Sequence, residues 1–113
     1  MNRMDVSTLE VRTEPDGTVV IRPRGVVGEA DVVHLQQVLV RTVRKVRPSR
    51  LVLDLTDVFR LDPIAAGTMS AVCGLGDDHG VAVFVHNPSE HIADQLSTAG
   101  VPVQRLRRTA AMA

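Results

Sequence analysis

The stretch Leu51-Val-Leu-Asp-Leu-Thr-Asp-Val-Phe-Arg-Leu-Asp-Pro-Ile-Ala-Ala-Gly67 reads as a buried strand, a short acidic loop and the capped start of a helix. Leu51, Val52 and Leu53 form a continuous apolar run, the pattern of a strand covered on both faces. Asp62 followed by Pro63 suits an N-cap and a first helical residue: the carboxylate accepts from an N–H of the first turn, and proline there forfeits no helical hydrogen bond. What sits in the turn after Pro63 should therefore decide function.

The flanking segments supply the rest of an α/β order. Val6 to Thr13 alternates apolar and polar residues and leads through the turn signal Glu14-Pro15-Asp16-Gly17 into Thr18 to Arg24, a β-hairpin. Pro23 cannot donate to a ladder, so the second strand must end with one side unpaired there. From Asp31 to Val46, apolar residues Val32, Leu35, Val38, Leu39, Val43 and Val46 recur at three- and four-residue steps and predict an amphipathic helix. A strand follows at Arg50 to Asp54. The helix from Pro63 to about Asp77 carries Ala65, Ala66, Gly67, Ala71 and Gly74, small enough for close approach to a sheet, and Asp77-Asp78-His79-Gly80 ends it.

Downstream, Val81 to Val85 is a strand, and Asn87-Pro88-Ser89-Glu90 reads as a capping-box start with proline at the first helical position. Ile92, Ala93, Leu96 and Ala99 mark the buried face of that third helix. Gly100 and Val101-Pro102 stop it, Val103 to Leu106 reads as a short edge strand, and Arg107 to Ala113 as a frayed tail. A hairpin followed by strand-helix-strand units predicts a mixed sheet with its helices mainly on one face. The other face is then only partly covered, so it could support self-association as a homodimer.

With 113 residues, 44% of them apolar and 23% charged, the chain has the material for one globular domain and lies outside the disordered range. The formal net charge of +0 removes the global attraction that drives non-specific binding to nucleic acid or anionic membranes. A lone cysteine, Cys73, permits no internal disulfide, and no apolar run approaches a bilayer-spanning length or a signal segment. A cytoplasmic protein without membrane insertion is the expectation.

The central motif resembles that of STAS domains, the family of bacterial anti-sigma factor antagonists and of the cytoplasmic domains of sulphate transporters. In that family a hydrophobic strand ends in Asp-Leu-Ser or Asp-Leu-Thr, here Asp54-Leu55-Thr56, and a second element, here beginning at Asp62, opens a helix. Aligned from Asp62, the serine or threonine that a partner kinase phosphorylates falls on Ile64 and the following glycine on Ala65, so the switch hydroxyl is absent. Arg24-Gly25-Val26-Val27 resembles the approach to the family's first helix, with Gly28 in place of an aspartate. Val81 to Val85, Asn87 to Glu90 and Ala99-Gly100-Val101 resemble its fourth strand and third helix. The likeness takes in residues 6–106 and implies a single STAS-like domain spanning residues 1–113.

Enzymatic readings fare worse. Asp54, Asp57 and Asp62 cluster in and after one strand, and carboxylates sharing a site serve acid-base work or hold cations; strand-end, loop and capping roles account for all three. A two-component receiver domain also ends a central strand with an acid. It needs a lysine after its last strand, and the chain's one lysine, Lys45, lies in the first helix. His34, His79, His86 and His91 lack metal-ligand spacing, and Cys73 has no His or Lys nearby in sequence to activate it. With two Phe, no Tyr and no Trp, stacking platforms for single strands are missing. Arg41, Arg44, Lys45, Arg47 and Arg50 form the one basic run, favourably placed for the dipole of the first helix.

The sequence thus predicts a non-enzymatic protein-interaction domain without cofactor or metal. The resemblance implies an anti-sigma factor of the histidine-kinase-like ATPase class as partner, docking on Asp57, Asp62, Pro63, Ile64, Ala65 and Gly67 without the usual serine switch. The alternative is a phosphorylation-independent STAS-like subunit of another assembly, stressosome-type or a lipid-transport ATPase complex. Thr56 matters for the first of these, because some stressosome-type STAS domains carry a phosphorylated threonine in a similar Asp-x-Thr.

Overall fold

The computed structural model describes residues 9–108. Leu9–Thr13 (β1) and Val19–Pro23 (β2) form the predicted hairpin, antiparallel from Leu9 opposite Pro23 to Thr13 opposite Val19. Its turn is held by Gly17 N donating to Glu14 O at 2.9 Å and Thr18 N donating to Asp16 Oδ1 at 2.9 Å, with Gly17 at φ 90, a conformation that favours glycine. Residues 6–8 of the expected first strand lie outside the described residues.

Arg50–Asp54 (β4) is the middle strand of the main sheet, whose order is β1, β2, β4, then Ala82–His86 (β6) and Leu106–Arg107 (β7). Every pairing after the hairpin is parallel, which makes the sheet mixed, as predicted. β4 pairs with β2 only from Leu51 to Leu53, so Pro23 lies beyond that ladder and its missing N–H costs nothing.

Glu29–Arg41 (α1), Pro63–His79 (α2) and Glu90–Ala99 (α3) cover the face that presents Ile21, Leu51, Leu53, Val83 and Val85. These side chains join Leu35, Leu39, Met69, Ile92 and Leu96 in one apolar core. α2 lies close to β6 at Gly76, where an added Cβ would stand 2.6 Å from Val83 Cγ2. The small residues therefore divide by helical phase. Ala65, Ala66 and Gly76 face the core, whereas Gly67, Ala71 and Gly74, expected against the sheet, point outward.

The opposite sheet face carries no helix, yet Val20 and Val52 on it are buried. Phe84 lies among three guanidinium groups, with Arg50, Arg105 and Arg107 at 5.7, 5.5 and 4.7 Å from its ring centroid. Arginine stems thus replace a helix layer over this face.

Several boundaries differ from the sequence reading. α1 gives way at Thr42–Val46 to a π turn, closed by Arg47 N donating to Thr42 O at 2.8 Å. That wider turn rotates each residue less than an α turn, so the apolar stripe slips: Val43 stays buried while Val46, predicted to complete the stripe, is 60% exposed. Asn87 does not cap α3. It sits at φ 58 and gives its N–H to Arg107 O, so the helix starts later, with Ser89 Oγ accepting from Ile92 N at 3.2 Å. Val103–Arg105 is a 3-10 turn rather than strand, and the edge strand is shifted to Leu106–Arg107; residues 109–113 of the expected tail lie outside the described residues.

The largest difference is a second, two-stranded parallel sheet. Gly25–Val27 (β3) pairs with Val58–Leu61 (β5), in the segment read as an acidic loop. Gly25 N donates to Asp57 O at 2.8 Å and Asp62 N to Val27 O at 2.9 Å, so the ladder joins the entrances of α1 and α2.

Candidate functional site

β4 ends at Asp54, and the chain turns because that carboxylate captures the next residues: Asp54 Oδ1 accepts from Thr56 N at 3.0 Å and from Thr56 Oγ1 at 2.5 Å. Asn87 Nδ2 in turn donates to Thr56 Oγ1 at 3.2 Å, so the exposed hydroxyl is held by groups from the ends of two adjacent strands. Arg22 Nε lies 3.4 Å from Asp57 Oδ2 and 3.9 Å from Asp54 Oδ2, sharing its single positive charge between the two carboxylates at ion-pair distance. Burial opposes ionisation of Asp54. The Thr56 hydroxyl and N–H bonds, with Arg22 and then His86, outweigh it and hold the carboxyl below its ordinary value.

Beyond this turn, β5 buries Val58 and Leu61 but turns Phe59 outward at 81% exposure, at the register shift opposite Gly25 and Val26. Asp62 then caps α2, its Oδ1 accepting from Ile64 N at 2.8 Å, with Pro63 as first helical residue, as the sequence predicts. Ile64 is 56% exposed, and Pro63 and Gly67 are exposed beside it. Gln95 Nε2 donates to Leu61 O at 2.9 Å and ties α3 to the same corner. A groove of about 440 Å³ opens between Pro63 and Ala66 on α2 and His91, Asp94, Gln95 and Thr98 on α3.

The structure therefore brings Asp62, Pro63, Ile64 and Gly67 together at the start of α2, while Asp57 stands a strand's length away at the other end of β5, beside Arg22. Ala65 is a correction: one residue on from Ile64, it turns by about 100° into the core and presents no surface to a partner. Phe59 and Val26 were not singled out by sequence. Phe59 lies inside the quoted stretch, and an aromatic next to Arg60 in an otherwise acidic segment was the available signal.

The catalytic alternatives gain no geometry. Asp54 and Asp57 are engaged by Arg22, Asp62 by the helix, and no group of three or more His, Cys, Asp or Glu able to hold a metal occurs among the described residues. Cys73 is buried, and desolvation pushes its thiol up, away from reactivity. No helix among the described residues is long and apolar enough to cross a membrane.

A profile of the STAS domain matches residues 10–110. The chain belongs to the STAS domain family. No curated protein matches its sequence. Among solved structures, this STAS domain is similar to the anti-sigma factor antagonist SpoIIAA in its unphosphorylated form, with TM-score 0.76, 12% identity and coverage of 91% of this chain and 89% of the other. A variant of Moorella thermoacetica RsbS gives 0.73, 13%, 92% and 87% in the same order. The STAS domain of a SulP transporter from Vibrio cholerae gives 0.62, 20%, 84% and 76%. At such identities the likeness carries the fold, and the function of this STAS domain rests on its own surface.

Proposed function

We propose that the chain is a non-enzymatic interaction module of the anti-sigma factor antagonist kind, acting in the cytoplasm. It binds a histidine-kinase-like anti-sigma factor through Asp57, Asp62, Pro63, Ile64 and Gly67, together with Phe59. The observation that carries this reading is the exposed apolar pair Phe59 and Ile64 at the entrance of α2, where the family motif places its phosphoacceptor. An isoleucine solvated on a capped helix start and a phenylalanine solvated on the strand leading into it contribute nothing to the core and supply contact area to a partner. Because Ile64 has no hydroxyl, phosphate cannot add its charge of about −1.5 to −2 there to release the partner, and the domain stays binding-competent.

The test is calorimetric titration with an anti-sigma kinase of the same host, with and without ATP, followed by phosphosite mapping. A complex that survives ATP with no phosphate on the first turns of α2 is expected. Phosphate on Thr68 or Ser70 with loss of binding would show that a neighbouring hydroxyl acts as the switch, and the reading would fail. One observation favours a second reading: the exposed Thr56 hydroxyl, held between Asp54 and Asn87, is available to a kinase. Phosphate on Thr56 would assign the domain to a stressosome-type assembly.

A further inference from the structure

From Val32 through Leu53 the chain has no aspartate or glutamate but five cations. Arg50 is engaged over Phe84. The side chains of Arg41, Arg44, Lys45 and Arg47 are exposed, and none is paired with a described residue. The end of α1 does not require all four. Thr42 Oγ1 already donates to Val38 O at 2.8 Å, and Arg47 N closes the π turn on Thr42 O, so these two carbonyls are served without a cationic side chain. Such turns cluster at functional positions, and this one fans the cations outward with Val46.

These cations stand at one end of a trough. Between α1 and α2 lies a depression of about 400 Å³, lined chiefly by Gln36, Val40, Ile64, Gly67, Ala71 and Val72. A second, of about 490 Å³, is lined by Gln37, Val40, Arg41, Arg44 and Lys45. Val40 lines both, so the two adjoin at that side chain and make a shallow trough, apolar on the side of Ile64 and basic on the side of Lys45. From Gln36 to Lys45 it runs along roughly 13 Å of helix, between two and three turns.

We propose that this trough seats an amphipathic, acidic helix of a partner protein. The partner's apolar stripe lies on Ile64, Val40 and Ala71, and its carboxylates lie over Arg44 and Lys45. The inference rests on the proposed docking face around Ile64 and adds the chemistry of what docks there. A helix fits because a groove between two helices accepts anchors spaced i, i+3/i+4 and i+7, and because α1 and α2 offer no free backbone edge to an extended strand. Acidity fits because four unpaired cations repel a basic occupant, give a neutral one no charge attraction, and steer a carboxylate-bearing one. Nucleic acid fits less well, since half the trough is apolar and the chain is neutral overall.

The experiment uses the full chain, labelled for amide NMR, and a capped alanine-based peptide of about 16 residues with Leu at i, i+4 and i+7 followed by a Glu cluster. The same peptide with Lys for Glu and a short DNA duplex are the comparators. Saturable binding is expected from the Glu peptide, with shifts at Gln37, Val40 and Ala71. The Lys peptide and the double variant Arg44→Glu with Lys45→Glu should each bind at least about tenfold more weakly, or tenfold less peptide, at equal folded content by circular dichroism. Failure to saturate, preference for the duplex or the Lys peptide, or shifts confined to the open sheet face would overturn the proposal. If Ile64→Asp weakens the peptide and the charge-reversed double variant does not, the acidic partner is refuted and the docking face stands. If neither variant matters, both fail.

Discussion

The molecule contains two parallel ladders that do opposite work. In the main sheet, β4 is flanked by β2 and β6 and shielded on both faces, by helices on one side and by arginine stems on the other; Leu51 and Leu53 are 0% exposed. In the small sheet, β3 and β5 are joined by a short ladder with a register shift, and Phe59 and Val26 face outward, at 81% and 53% exposure. Apolar side chains in the first ladder are removed from water and stabilise the fold, whereas those in the second remain solvated and form the surface proposed to meet a partner. Substitutions in the two regions should therefore act on different observables.

The largest effect belongs to the main sheet. Leu53→Ala should destabilise the domain by about 2 to 5 kcal/mol, through lost transfer energy and the cavity left under α2, read from denaturant unfolding. An unchanged unfolding midpoint would break the comparison at its stable end. Next comes the small ladder's corner: Ile64→Asp should weaken a captured partner by at least about 2 kcal/mol, while changing stability by no more than about 0.5 kcal/mol, because a carboxylate is tolerated in a first helical turn. Equal affinity in the folded variant would mean that the exposed corner is not the docking surface. Asp62→Ala should cost about 1 kcal/mol in stability through loss of the cap on Ile64 N and leave Leu53 buried, a smaller change at the junction of the two regions.

The same contrast explains what the sequence discloses. β4 is legible because a strand covered on both faces is apolar at successive positions, and α2 because Asp62-Pro63 is a start signal with a single stereochemical meaning. β5 is not, because Val58-Phe59-Arg60-Leu61 buries its ends and exposes its middle, which matches neither alternation nor a continuous run. The π turn is illegible for a related reason: Val46 continues an ideal helical stripe in the sequence, and only the widened turn displaces it. At the site, Asp62 and Ile64 follow from motif spacing, whereas the burial of Ala65 and the exposure of Phe59 depend on helix phase and on the partner strand β3, which the local sequence does not specify.

The smallest prediction concerns the seam between the ladders, where Asp54 at the end of β4 stands opposite His86 at the end of β6. His86 is held below its ordinary value of 6.5, first by burial and then by Arg107 and Arg50, with Asp54 opposing them. Asp54 is held below its ordinary 3.8: desolvation, the largest influence, raises it, but the Thr56 bonds together with Arg22 and His86 prevail. In both cases the folded state binds protons less readily than the unfolded one. The associated stability is therefore complete above the unfolded pKa and is lost as pH falls through the folded value. Acidification should act in two steps, the first beginning near the ordinary histidine value and the second near the ordinary aspartate value. Solvent at this half-open position screens each to less than about 1 kcal/mol. Urea midpoints followed from about pH 7.5 to pH 3 would resolve them, with His86→Gln removing the first step and Asp54→Asn the second. A wild-type midpoint that rises as pH falls from about 7 to 5.5 would have the wrong sign for a depressed histidine, and burial with arginine flanking at the ends of β4 and β6 would then not govern His86.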